Sequence, residues 1–163
     1  MNHYYFRKSA MRPLYVSRPL LNGDALVKWA KANGFETTVP VDEMHVTVCF
    51  SKMPMDWFKP GPTWLEGLEV PAGGPRTLEV LGPKKAVVLR FACDELRWRW
   101  ERFKECGASW DYEDYKPHVT ISHAGGPAEI EQIEPFQDEL KFGPEKFAPI
   151  QQDWEKKLVE KTA

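Results

Sequence analysis

The constraint that dominates this chain is a repetition: His45-Val46-Thr47-Val48 recurs seventy-three residues later as His118-Val119-Thr120-Ile121. In a strand, successive side chains point to opposite faces. His45 and Thr47 therefore share one face while Val46 and Val48 share the other, and His118 and Thr120 stand in the same relation to Val119 and Ile121. One face of each strand is apolar and seeks a core; the other offers an imidazole beside a hydroxyl. Two such strands brought together make a polar cleft holding two histidines. The ordinary alternative is that each imidazole sits on a half-buried strand, satisfied by a backbone carbonyl, and does no chemistry.

The surroundings of the two motifs repeat as well. Residues 12–19 alternate as a strand, with Leu14 and Val16 on one face and Tyr15 and Ser17 on the other. Asn22 or Asp24 can cap a helix over 25–33 with Leu26, Val27, Trp29 and Ala30 on its apolar side, and Gly34 is a natural stop. A short link with Pro40 leads into a histidine strand over 44–51. Later, 77–81 and 86–91 form a hairpin around Gly82-Pro83-Lys84-Lys85. Asp94 can cap a helix through Cys106 that carries Leu96, Trp100 and Phe103 toward the core at i, i+4 and i+7. Gly107 closes this helix, and Pro117 opens the second histidine strand. Gly34 lies eleven residues before His45 and Gly107 eleven before His118; Leu14 lies thirty-one before His45 and Val87 thirty-one before His118. The pattern predicts an α+β protein with duplicated β-α-β units, a first motif lobe over about 12–52 and a second over about 77–123, in a single bilobal domain spanning 1–163.

The remaining segments say less. Residues 53–75, rich in proline, glycine and tryptophan, read as a long irregular crossover in which Trp57 and Trp64 either pack or bind. In the tail, 124–163, Gly125-Gly126-Pro127 is a turn, 132–142 holds a strand, and 153–161 reads as a charged helix whose Trp154 either packs or closes over a ligand.

Composition narrows the classes. A net charge of −2 over 163 residues argues against a domain that grips nucleic-acid backbone generally, since such domains carry a large basic excess. A small anionic ligand held by local cations fits. Three cysteines with no C-x-x-C spacing suit neither a disulfide framework nor a thiolate zinc site. With no apolar segment behind Arg7-Lys8 and no run long enough to span a bilayer, the expected location is the cytoplasm.

A pair of histidines can hold a base and an acid together, because the unperturbed imidazole titrates near pH 6.5. Displacement at a phosphodiester needs that couple, one group to take a proton from the attacking hydroxyl and one to protonate the departing oxygen. Thr47 and Thr120 can donate hydrogen bonds to the phosphate oxygens where charge gathers. Zinc catalysis would need a third ligand. Alternation sets His123 on the face opposite His118, and His3 lies in the N-terminal segment, so no metal or other cofactor is expected. The seventy-three-residue offset matches Tyr15 and Ser17 with Val88 and Arg90 on the cleft side. Tyr15 is then a candidate to stack on a base, and Arg90 and Lys116 are candidates to meet a phosphate.

Two motifs of this kind, HVTV and HVTI, in a duplicated β-α-β chain resemble the two-histidine phosphoesterase superfamily along nearly the whole sequence. Within it, PLYVSRPLLNGDALVKWAKANGF followed by MHVTVCFSK and MDW is similar to the phage anti-CBASS nucleases, which degrade the cyclic oligonucleotides that serve as alarm signals in bacterial immunity. The resemblance implies a bilobal fold with His45, Thr47, His118 and Thr120 lining a central groove. It also implies metal-independent cleavage of 3′–5′ linkages in cyclic di- and trinucleotides, with no stable protein partner and no membrane. Two alternatives remain at this point: an RNA 2′,3′-cyclic phosphodiesterase or 2′–5′ linkage enzyme of the same superfamily, and a module that sequesters nucleotides without cleaving them.

Overall fold

The computed structural model describes residues 11–150; the expected helix over 153–161 and Trp154 lie outside the described residues. Among the described residues ten regular elements follow one another: β1 (Met11–Pro19), α1 (Gly23–Ala32), β2 (His45–Asp56), β3 (Leu68–Val70), β4 (Arg76–Leu81), β5 (Ala86–Phe91), α2 (Asp94–Glu105), β6 (His118–Ser122), β7 (Leu140–Phe142) and β8 (Lys146–Ala148). Short 3-10 turns lie at Val41–Glu43 and Ile130–Gln132. Six strands form one antiparallel sheet in the order β4-β5-β6-β2-β1-β8, and β3 pairs with β7 separately. Among the described residues no helix is long and apolar enough to cross a membrane.

The expected duplication is present. Each half is strand, helix, histidine strand, with the two strands adjacent and antiparallel: β1 beside β2, and β5 beside β6. Both helices end in the same way. The Phe35 amide donates to the Ala30 carbonyl (3.0 Å) and the Gly34 amide to that of Lys31 (3.3 Å), while Ala108 donates to Phe103 (3.0 Å) and Gly107 to Lys104 (3.1 Å). These are paired Schellman closures, and they require the left-handed residue that glycine supplies at φ +94° and +102°. The N-termini depart from expectation. Neither Asn22 nor Asp94 caps its helix through a side chain. Asn22 instead binds the Glu139 carbonyl and the Lys141 amide and so fastens the chain near β7.

One face of the six-stranded sheet is the core. Leu14, Val16, Val46, Val48, Leu89, Val119 and Ile121 are buried there with Leu26 and Ala30 of α1 and Leu96 and Phe103 of α2. Each fully buried leucine contributes roughly 1.5–3 kcal/mol of transfer free energy. Helix α1 lies against β6 and α2 against β2, so each half covers the histidine strand of the other. The crossover over 53–75 is more ordered than its composition predicts, because β2 runs on to Asp56 and β3 finds β7. Its tryptophans pack: Trp57 lies under the Arg12 guanidinium (4.0 Å) and against Phe147, and Trp64 lies beside Arg99 (5.0 Å).

A buried ion pair ties this crossover to the tail. Arg99 and Glu145 have side chains 3% and 0% exposed and meet in two hydrogen bonds, of 2.9 and 3.0 Å. Arg99 also donates to the carbonyls of Pro60 and Pro62, and the Glu145 carboxylate accepts the Trp64 amide. Removing one charge from such a pair strands the other in low dielectric. Glu145→Gln, which keeps shape and the Trp64 contact, is therefore expected to lower stability by about 3–5 kcal/mol; urea unfolding that differs from wild type by less than about 1 kcal/mol would show that the pair does not hold these segments together.

Candidate active site

Strands β2 and β6 meet at the centre of the sheet with Val46 opposite Val119. Continuing that antiparallel register one residue each way puts His45 opposite Thr120 and Thr47 opposite His118. Both cross-strand rows extend through the flanking strands. One reads Ser17, Thr47, His118, Arg90, Thr77; the next reads Pro19, His45, Thr120, Val88, Glu79. The row between them, Arg18, Val46, Val119, Leu89, Leu78, faces the helices. The four motif residues thus form a rectangle on the face away from α1 and α2, with the histidines on one diagonal. Diagonal neighbours in antiparallel strands lie about 7–8 Å apart at Cα, so both imidazoles can reach one phosphate between them.

Both imidazoles are held alike. His45 Nδ1 lies 2.8 Å from the Glu43 carbonyl, and His118 Nδ1 lies 2.9 Å from the Lys116 carbonyl. A carbonyl can only accept, so Nδ1 carries the proton in each ring, and a neutral imidazole then presents Nε2 as an open base. This is the backbone satisfaction that the ordinary reading of a strand histidine anticipates. Here it consumes one nitrogen per ring and leaves the other for chemistry.

The halves are also joined below the rectangle. Tyr115, 1% exposed, sends its hydroxyl to the Thr47 carbonyl (2.7 Å). Its ring stacks on Trp100 at 5.5 Å. Burial pushes the Tyr115 phenol upward. Alternation shows Tyr115 only as one of several aromatics in a polar link; its reach across to β2 is a tertiary fact.

The other expected site residues are placed as follows. Tyr15 is half-buried on the histidine face, its hydroxyl 3.2 Å from Thr47 Oγ1 and its ring edge-on to His45 (centroids 6.3 Å). Burial raises its phenol, outweighing the lowering effect of the Thr47 hydrogen bond. Arg90 stands directly across from His118 and pairs with Glu79 at 3.2 Å, both side chains 36% exposed. Lys116 is exposed, and what it brings to the site is its carbonyl. Cys49, adjacent to the first motif, is no rival nucleophile, since burial pushes its thiol up to about 12; burial likewise raises Cys93 to about 11. Among the described residues no group of three or more His, Cys, Asp or Glu is arranged to hold a metal ion.

Two expectations are corrected. Ser17 is opposite Thr47 and Val88 is opposite Thr120, and likewise Pro19 faces His45 as Arg90 faces His118. The first strands therefore correspond at an offset of seventy-one, not seventy-three. Tyr15 matches Ala86, and Ser17 matches Val88; their faces are unchanged because the slip is even. The second correction concerns His123. In both histidine strands the register shifts by one residue: Val16 pairs with Cys49 but Ser17 with Thr47, and Val87 pairs with Ser122 but Val88 with Thr120. Val48 and Ile121 are the extra residues of matching β-bulges. A bulge inverts the alternation beyond it. Cys49 and Ser122 consequently turn into the core, and Phe50 and His123 turn out onto the histidine face. His123 is not behind the sheet; it lines a cavity with His45 and Thr120.

Comparison with known proteins gives the family and the fold. The family model described as anti-CBASS protein Acb1 matches residues 12–157. An anti-CBASS protein Acb1 from Caulobacter sp. (strain RHG1) is 47% identical over 152 residues, which cover 91% of this chain and 24% of that protein. The one from Enterobacteria phage T4 is 28% identical over 116 residues, 70% of this chain and 74% of it. The chain thus spans about a quarter of the Caulobacter relative and most of the phage one. Among solved structures, Escherichia coli LigT complexed with 3′-AMP superposes with a TM-score of 0.55 over 86% of this chain and 96% of that one, at 15% identity, so the fold is shared where the sequence has diverged. With the family model covering nearly all of the described residues and more, this chain belongs to the anti-CBASS protein Acb1 family.

Proposed function

We propose that this chain is a phosphodiesterase that opens cyclic di- and trinucleotide immune signals at 3′–5′ linkages, in the bacterial cytoplasm where those signals are made. The observation that carries the reading is the pair of imidazoles on one diagonal of a rectangle, each with Nδ1 held by a carbonyl two residues earlier. One neutral ring takes the proton of the attacking hydroxyl. The other, protonated, delivers a proton to the departing 5′-oxygen. With the ribose 2′-hydroxyl as nucleophile, its oxygen bonds to phosphorus as the phosphorus–5′-oxygen bond breaks, leaving a linear product ending in a 2′,3′-cyclic phosphate. Water attacking directly would use the same residues. Thr47 and Thr120 donate to the non-bridging oxygens as their charge grows. The proton couple suffices, so the reaction proceeds without a metal ion.

Family membership supports the signal class, and the Nδ1–H tautomer supports catalysis over mere capture, since binding alone needs no base with an open nitrogen. Incubation with cyclic GMP-AMP in EDTA is expected to yield linear product; ligand bound but unchanged would make the chain a sequestering module instead. His45→Ala and His118→Ala should each lower kcat by at least about 10²–10⁴-fold with folding intact, because both side chains lie on the open face, and full activity in both variants would end the assignment. Thr47→Val should cost about 10²–10³-fold in kcat. The rate should rise and fall with pH as a bell, whereas a monotonic profile excludes an acid–base pair. Nitrogen-15 NMR should find both neutral rings protonated at Nδ1.

A further inference from the structure

We infer that the cavity beside His45 is a nucleobase subsite in which His123 is the ring the base stacks on. The inference rests on the phosphodiesterase reading and names the substrate contact that reading leaves open. The cavity encloses about 240 Å³ between the start of β2 and the end of β6, lined by Val39, Glu43, Met44, His45, Thr120 and His123. Val39 and Met44, 5% and 2% exposed, bound it on the core side; Glu43, the histidines and the threonine supply its polar groups. Apolar walls with a few convergent polar groups characterise small-molecule sites, and those that hold drug-sized ligands begin at about 300 Å³. A smaller cavity takes one base and leaves the rest of a cyclic dinucleotide on the open face.

The bulge delivers His123 to this place, and the fold fixes the bulge. Val39 donates its amide to the Ile121 carbonyl at 2.7 Å, so a residue that lines the cavity also holds the extra residue of β6. Bulges beside active sites commonly re-aim a side chain. The matching bulge in β2 re-aims Phe50, whose ring packs edge-on against Tyr15 at 5.8 Å. Past its bulge each histidine strand therefore presents an outward ring: Phe50 beyond Thr47, on the His118 side, and His123 beyond Thr120, on the His45 side. A phosphodiester carries one nucleoside on either side of its phosphorus, and a phosphate between the imidazoles places those two nucleosides toward the two rings. Histidine is among the side chains on which unstacked bases are held, and every base has a face to offer.

The test uses the full chain with His123→Ala, His123→Phe and His123→Gln, in steady-state turnover of cyclic GMP-AMP. Loss of the ring is expected to raise KM about 5- to 150-fold, the span of base–aromatic stacking, with a far smaller change in kcat; Phe should restore KM and Gln should not. An unchanged KM in His123→Ala, or rescue by Gln equal to that by Phe, overturns the stacking role. Calorimetric affinity for the same ligand in a His118→Ala background separates the two readings. If wild type turns nothing over but affinity in that background still falls on adding His123→Ala, catalysis is refuted and the subsite stands. If the affinity does not change, the subsite is refuted whatever the turnover.

Discussion

The pairing of Val46 with Val119 is the contact on which the site depends. Both valines are fully buried, and the side chains on either side of each are the histidine and threonine of a motif. A slip of one residue between β2 and β6 would carry the valines to solvent and press imidazoles and hydroxyls into the core. Hydrophobic burial on one face therefore sets the position of polar groups on the other. The rectangle needs no ligand or metal to assemble, because the core that specifies its register is the core that folds the protein.

Other contacts prevent the halves from moving apart at this seam. Each helix covers the other half's histidine strand, and Tyr115 reaches from the link before β6 to the Thr47 carbonyl. The Arg99–Glu145 pair fastens the crossover and the tail to α2 on the helix side. Its charges lie behind the sheet, away from the imidazoles, so the buried polar network and the motif residues occupy different layers. Arg90 lies with Glu79 at the margin of the open face, exposed enough for its partner to be exchanged.

Duplication explains what the halves share, and divergence within it explains what differs. The Schellman closures, the Nδ1 bonds and the bulges all occur twice, at equivalent places. These are properties of backbone geometry, which a duplicated unit retains while side chains change. Tyr15 has no aromatic counterpart at Ala86, and Phe50 is matched by His123. The polar rectangle is consequently near-symmetric while its surroundings are not.

The repeated His-x-Thr spacing by itself determined the elements of each half and the face on which His45, Thr47, His118 and Thr120 stand, and the sequence as a whole carries the kinship with the anti-CBASS protein Acb1 family. The elements and the face follow from period-two alternation and glycine-closed helices, which are local. The tertiary structure alone decided that β2 and β6 are neighbours in register, that a carbonyl two residues back holds each ring, and that His123 faces the site. The bulges leave no mark in composition: Val48-Cys49 and Ile121-Ser122 read as ordinary strand, and only pairing with Val16 and Val87 shows that one residue in each is extra. A count along one strand cannot register a residue whose partner on the next strand is missing, because alternation is a property of a chain and register a property of two.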